Sequence, residues 1–92
     1  DNIAIHFHGR YLFGEHVTYP SFVNRIREGF IFKKTKITQE FDYKKFKQYY
    51  QENVIPLFVI HENKTIRICD AGEDLTPQAG DTIVALVPKV DP

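Results

Sequence analysis

A single cysteine, Cys69, leaves this 92-residue chain unable to form an internal disulfide or a cysteine zinc cluster, and suits a reducing compartment. No apolar run approaches the roughly 20 residues that a transmembrane helix needs. No secretory signal is visible, and the first residue is Asp1 rather than Met, so the chain is expected to be a fragment of a longer protein. Charge of one sign is lacking too. Twelve Lys and Arg balance 12 Asp and Glu, which leaves no global field to draw in nucleic acid. The short catalytic signatures are missing: there is no Gly-x-Ser-x-Gly, Walker-type loop, Gly-x-Gly-x-x-Gly or His-Glu-x-x-His. The chain is therefore expected not to be an enzyme and to carry no cofactor.

What is abundant is aromatic. Eight Phe and five Tyr predict a single small domain with a mostly aromatic core, since each buried ring removes about 150–250 Å² from water. Basic residues gather between Arg25 and Lys47, where eight of them face only Glu28, Glu40 and Asp42. A plain solvated face accounts for that cluster. It also makes Arg25, Lys33, Lys34 and Lys36 candidates for holding a small anion, such as a nucleotide.

Other side chains have bland readings that outweigh the chemical ones. His6 and His8 share one face of an extended segment, with His16 nearby, but nothing dictates a closed ligand set, so no metal is expected. Cys69 follows an alternating strand pattern beside Asp70, which suits structural burial better than a reactive thiolate. Glu73 and Asp74 lie in a polar loop without an acid–base partner. Aromatics interleaved with lysines from Tyr43 to Tyr50 could stack on nucleic acid, yet their three- and four-residue steps describe a core-facing helical stripe.

The pattern predicts an α+β fold with a small mixed or antiparallel sheet and two helices, in the order β-α-β-α-β-β-β. Ile3, Ile5 and Phe7 alternate as a short strand, and residues 10–13 form a second extended piece. A helix follows Thr18 or Tyr19, with Pro20 in its first turn and Gly29 at its end. Residues 30–37 form a strand that turns polar and either leaves the core or lies at an edge guarded by lysine. Asp42 caps a second helix that stops at Asn53. Residues 55–60 are a central strand, 61–64 a turn, and 65–69 the partner strand. After a loop, Gly80 and Asp81 turn the chain into a buried last strand over residues 82–87, ended by Pro88.

From Lys33 to Val87 this order resembles the C-terminal ligand-sensing domain of potassium-conductance regulators, called RCK-C or TrkA-C. The most specific piece is the ending, where Pro77 precedes Gly80-Asp81 and the closing apolar strand. The segments Arg10-Tyr-Leu-Phe-Gly14, Ile37-Thr-Gln-Glu-Phe41 and Ile55-Pro-Leu-Phe58 are similar to the cytosolic tails of bacterial cation:proton antiporters. The resemblance implies one domain over residues 1–92, with 30–88 as core and 1–29 as an extension. It implies regulation of monovalent cation transport at the cytoplasmic face of the bacterial inner membrane by a domain that is itself soluble. The partners it implies are a second copy of the domain, and a membrane transporter and a Rossmann-like module in the parent chain. The longer aromatic helix departs from the family's short Gly-containing stretch, so no ligand residues carry over. A homodimer through the aromatic helix or the last strand is expected from the excess of rings.

The same ending also resembles β-grasp, ubiquitin-like modules. Because the chain closes on Lys89-Val-Asp-Pro92 without Gly-Gly, that alternative is a non-conjugating interaction domain. A small enzyme subunit contributing to a shared site is the third reading.

Overall fold

The computed structural model describes residues 6–7, 10–11, 18–69 and 75–89. Two short strands, β1 (His6–Phe7) and β2 (Arg10–Tyr11), pair antiparallel. The remaining residues of the two expected N-terminal segments lie outside the described residues, as do His8, His16, Glu73 and Asp74.

Helix α1 (Tyr19–Arg27) begins at Thr18. The Thr18 hydroxyl accepts from the Ser21 N–H at 3.2 Å, and the Thr18 N–H donates to the Ser21 hydroxyl at 2.9 Å, so two otherwise orphaned donors are satisfied reciprocally. Gly29, at φ +99°, lets the chain turn back. The Phe30 N–H then reaches the Arg25 carbonyl (3.0 Å) and the Gly29 N–H reaches that of Ile26 (3.1 Å). Glycine ends this helix as the sequence predicts.

Strand β3 (Ile31–Lys36) leads to α2 (Tyr43–Tyr49), capped by the Asp42 carboxylate, which accepts from the Lys45 N–H at 2.9 Å. The helix is shorter than the spacing of its aromatics suggests, since it stops before Asn53. The Glu52 N–H bonds the Lys47 carbonyl (2.8 Å) and the Gln51 N–H that of Gln48 (3.0 Å). Gln51 (φ 55°) and Glu52 (φ 64°) both lie in the left-handed region. The chain thus reverses toward the sheet without the glycine that would have marked the stop in the sequence.

Strands β4 (Ile55–Ile60), β5 (Ile66–Ile68) and β6 (Thr82–Val87) complete a four-stranded sheet in the order β3-β6-β4-β5. Every pair is antiparallel, which resolves the mixed-or-antiparallel alternative within the expected α+β class. The register shifts between Pro56 and Phe58, so the missing Pro56 donor sits beside an irregularity in the ladder. The last strand, expected to share in a pairing surface, lies between β3 and β4 and offers no free edge.

Register assigns the two faces of the sheet, because residues paired across an antiparallel ladder share a face. Val59 pairs with Ile83, which also pairs with Thr35, and Ile83, Ala85 and Val87 alternate along β6 on that same face. This is the face that α2 covers. Ile37, Phe46, Val59, Ile83, Ala85 and Val87 form its buried cluster, and Phe41, Tyr43, Tyr50, Val54, Cys69 and Leu75 pack around it. Phe46 is fully buried among Phe41, Tyr43 and Tyr50, with ring centroids 6.3, 6.1 and 5.5 Å away. The interleaved aromatics are core-facing, and Tyr49 alone among the α2 rings is exposed. On the other face Phe32 pairs with Leu86, and the Phe22 ring of α1 lies 6.4 Å from that of Phe32.

Candidate functional site

The polar chemistry of the described residues converges at one end of the sheet. The β3–β6 ladder continues past Lys36, since the Ile37 N–H donates to the Asp81 carbonyl and the Gly80 N–H to the Ile37 carbonyl, each at 2.8 Å. Gly80 has φ +98°, so the turn selects glycine, and the carboxyl end of the exposed Glu62 side chain rests against it. Asp81, only 8% exposed, is tied in two directions. Its N–H donates to the Gln78 carbonyl at 2.9 Å, while its Oδ2 accepts from the Gln78 N–H, also at 2.9 Å. Both bonds tie Asp81 to the backbone of a residue three positions earlier.

The second carboxylate oxygen meets a side chain from a distant part of the sequence. Asp81 Oδ1 lies 3.2 Å from Nδ1 of His61, the residue that follows β4. His61 also opens the hairpin turn: its carbonyl accepts from the Lys64 N–H, and its N–H donates to the Thr65 carbonyl, both at 2.9 Å. Lys64 takes φ +73°, the left-handed position that usually selects glycine in such turns. Asn63 Oδ1 accepts from the Thr65 N–H at 3.0 Å and from its hydroxyl at 2.6 Å, which stiffens the turn. Lys36, His61, Glu62, Lys64, Gly80 and Thr82 surround a cavity of about 280 Å³.

The four basic residues singled out in the sequence do not form one site. Arg25 bonds Glu28 at 3.4 Å and stacks over the Phe30 ring at 5.3 Å from its centroid, so it serves the end of α1. Lys33 pairs with Ala85 and therefore belongs to the α2 face. Lys34 and Lys36, opposite Val84 and Thr82, belong to the other face, and only Lys36 reaches the cavity. His61, weighed in the sequence only as a metal ligand that would have to swing in, and Lys64 sit in an ordinary turn pattern that marks neither as a neighbour of Asp81. Only the β4–β6 register brings that turn against Gly80 and Asp81.

A larger, open groove of about 530 Å³ lies at the end of α2, where Tyr49 to Asn53 meet Pro88. Tyr49 and Tyr50 meet edge to face at 4.9 Å. Burial first, and the neighbouring Tyr49 second, pushes the Tyr50 hydroxyl above the ordinary tyrosine value of 10.0. Cys69 is half-buried and packs on the core. Among the described residues no group of three His, Cys, Asp or Glu could hold a metal ion, and no helix is long and apolar enough to cross a membrane. No family model matches this chain, and neither a curated protein nor a solved structure matches it.

Proposed function

We propose that this chain is a non-catalytic regulatory module of a monovalent cation:proton antiporter, of the RCK-C kind, working at the cytoplasmic face of the bacterial membrane. The supporting observation is the order β3, α2, β4, β5, then a Gly80-Asp81 turn locked in both directions that delivers β6 into the sheet centre. That order is the one on which the resemblance rests. A module of this kind acts through a difference in affinity for two transporter states, which is the only way ligand occupancy can shift transport.

Such a module pairs with a copy of itself. β5 is the edge suited to this, because it exposes Ile66 and Ile68 with Arg67 as its one charge, whereas β3 carries Lys33, Lys34 and Lys36. The β-grasp reading rests on the same closing segment, and no further observation favours it.

The reading is tested in the parent protein. The encoding gene should specify, upstream of Asp1, a series of apolar helices of about 20 residues each. Removing residues 30–88 should leave cation exchange in vesicles but abolish its regulation. A parent with no membrane-spanning helices, or regulation that survives the deletion, would overturn the proposal.

A further inference from the structure

We infer that the sheet face turned away from α2 docks on an anionic lipid surface, with its apolar side chains at the headgroup boundary and Lys34 and Lys36 on the phosphates. A four-stranded sheet has two faces, and α2 covers one of them. Register lays out the second face, because residues paired across a ladder share a face. One row runs from Lys34 through Val84 and Phe58 to Ile68, and the next from Lys36 to Ile66. Helix α1 meets this face at Phe32, where the Phe22 ring lies 6.4 Å away. Even so, Phe32 is 59% exposed, and across the sheet Ile66 is 62% and Ile68 43% exposed. Phe32 and Ile66 lie on opposite edge strands, so the uncovered apolar surface spans all four strands. Large apolar side chains gathered in water on one face mark an interaction surface.

Charge chooses the occupant. Among the paired residues of this face the charged side chains are Lys34 and Lys36, both exposed, and none is acidic. Lys33 and Arg67 pair with Ala85 and Val59 and so belong to the α2 face. At the rim the β4–β5 turn adds Glu62 and Lys64, whose charges cancel. A second copy stacked on this face would offer the lysines only more lysines and apolar side chains, which is repulsive.

A bilayer interface presents phosphate oxygens beside hydrocarbon, which answers both features of the face at once. Lysine suits that boundary, since its methylenes lie along apolar surface while the ammonium stays at the polar level. Backbone pairing along the β5 edge would leave the face open, so docking and dimerisation are compatible. The inference does not depend on the transporter reading, because the chain docks on lipid or fails to whatever its parent carries. Failed docking leaves that reading standing, and failed regulation leaves the docking face standing.

Co-sedimentation with unilamellar vesicles tests the face, using an equal mixture of phosphatidylglycerol and phosphatidylcholine against phosphatidylcholine alone. The chain should bind the anionic vesicles, come off as salt is raised, and bind phosphatidylcholine at least about tenfold more weakly. Lys34→Gln and Lys36→Gln should each weaken binding about fivefold, the factor for about 1 kcal/mol per lysine near an anionic surface. Phe32→Ser and Ile66→Ser should each weaken it about tenfold, because each withdraws apolar area from the contact. Lys44→Gln, in α2 on the opposite layer, should leave it unchanged. Lys34 and Lys36 are exposed, so their variants should keep the melting temperature, and their loss of binding cannot be assigned to unfolding. No binding to the anionic vesicles, equal binding to pure phosphatidylcholine, or binding that Lys34→Gln and Phe32→Ser leave intact would overturn the inference. Self-association without lipid that these two substitutions abolish would overturn it as well, and would give the face to a second copy.

Discussion

At the scale of single residues, the backbone conformations that carry most meaning are those that depart from what the side chain prefers. Helices α1 and α2 end in the same hydrogen-bond pattern, with Gly29 in the left-handed position of the first and Gln51 in that of the second. A Cβ in that region crowds the following carbonyl, at about 1–2 kcal/mol per residue. Glycine loses more chain entropy on folding, by roughly 0.5–1 kcal/mol, so the net effect of exchanging the two is modest but favourable. Gln51→Gly should therefore raise the urea midpoint by the equivalent of about 0.5–1 kcal/mol. Gln51→Ala, which keeps the Cβ, should not. An unchanged midpoint in the glycine variant would mean that residue 51 is not left-handed in solution.

The two edges of the sheet differ in kind at the scale of elements. β3 is six residues long, and three of its residues are lysines, which hinder pairing with another chain. β5 is three residues long, with Ile66 62% exposed and Ile68 43% exposed. Pairing of β5 with its symmetry mate would form an isologous contact in which each Ile66 meets the same surface on the partner. Ile66→Lys should accordingly shift the chain from dimer to monomer in sedimentation at high micromolar concentration. Its melting temperature at low concentration should stay unchanged, because an exposed edge residue contributes little to the core. A wild-type chain that is monomeric throughout that range would remove the pairing proposal altogether.

For the whole molecule, stability rests on one apolar layer between α2 and the sheet. Phe46 has no exposed surface and touches three other rings, so it is the piece around which that layer closes. Removing a buried aromatic ring costs about 3–5 kcal/mol through lost transfer energy and the cavity left behind. A domain of this length is stable by only about 5–15 kcal/mol in all. Phe46→Ala should consequently lose most of the cooperative thermal transition, as followed by circular dichroism. Tyr49→Ala, on the exposed side of the same helix, gives up only its edge contacts with Phe41 and Tyr50 and should cost less, about 0.5–1.5 kcal/mol. Equal effects at the two positions would show that α2 does not pack as described.

Much of this architecture was readable from local physics. Asp42 and Gly29 mark helix boundaries because their own side chain or its absence meets the backbone need on the spot. Continuous apolarity in 82–87 marks a strand buried on both faces, whereas the alternation in 65–69 locates a strand whose apolar residues Ile66 and Ile68 stay exposed. The aromatic stripe of α2 announced the core for the same reason. Gln51 and Glu52 hid the true end of α2, since neither residue type advertises a left-handed conformation. Strand order was also out of reach, because whether β6 pairs with β3, β4 or both depends on contacts between residues far apart in the chain. The candidate site shared that fate. Asp81 and Lys36 were each visible as notable residues, but the sequence alone determined only their local roles, in a turn and on a lysine-rich edge. Their meeting with His61 and Lys64 was decided by the tertiary structure, because a charge cluster built across three strands has no spacing along the chain.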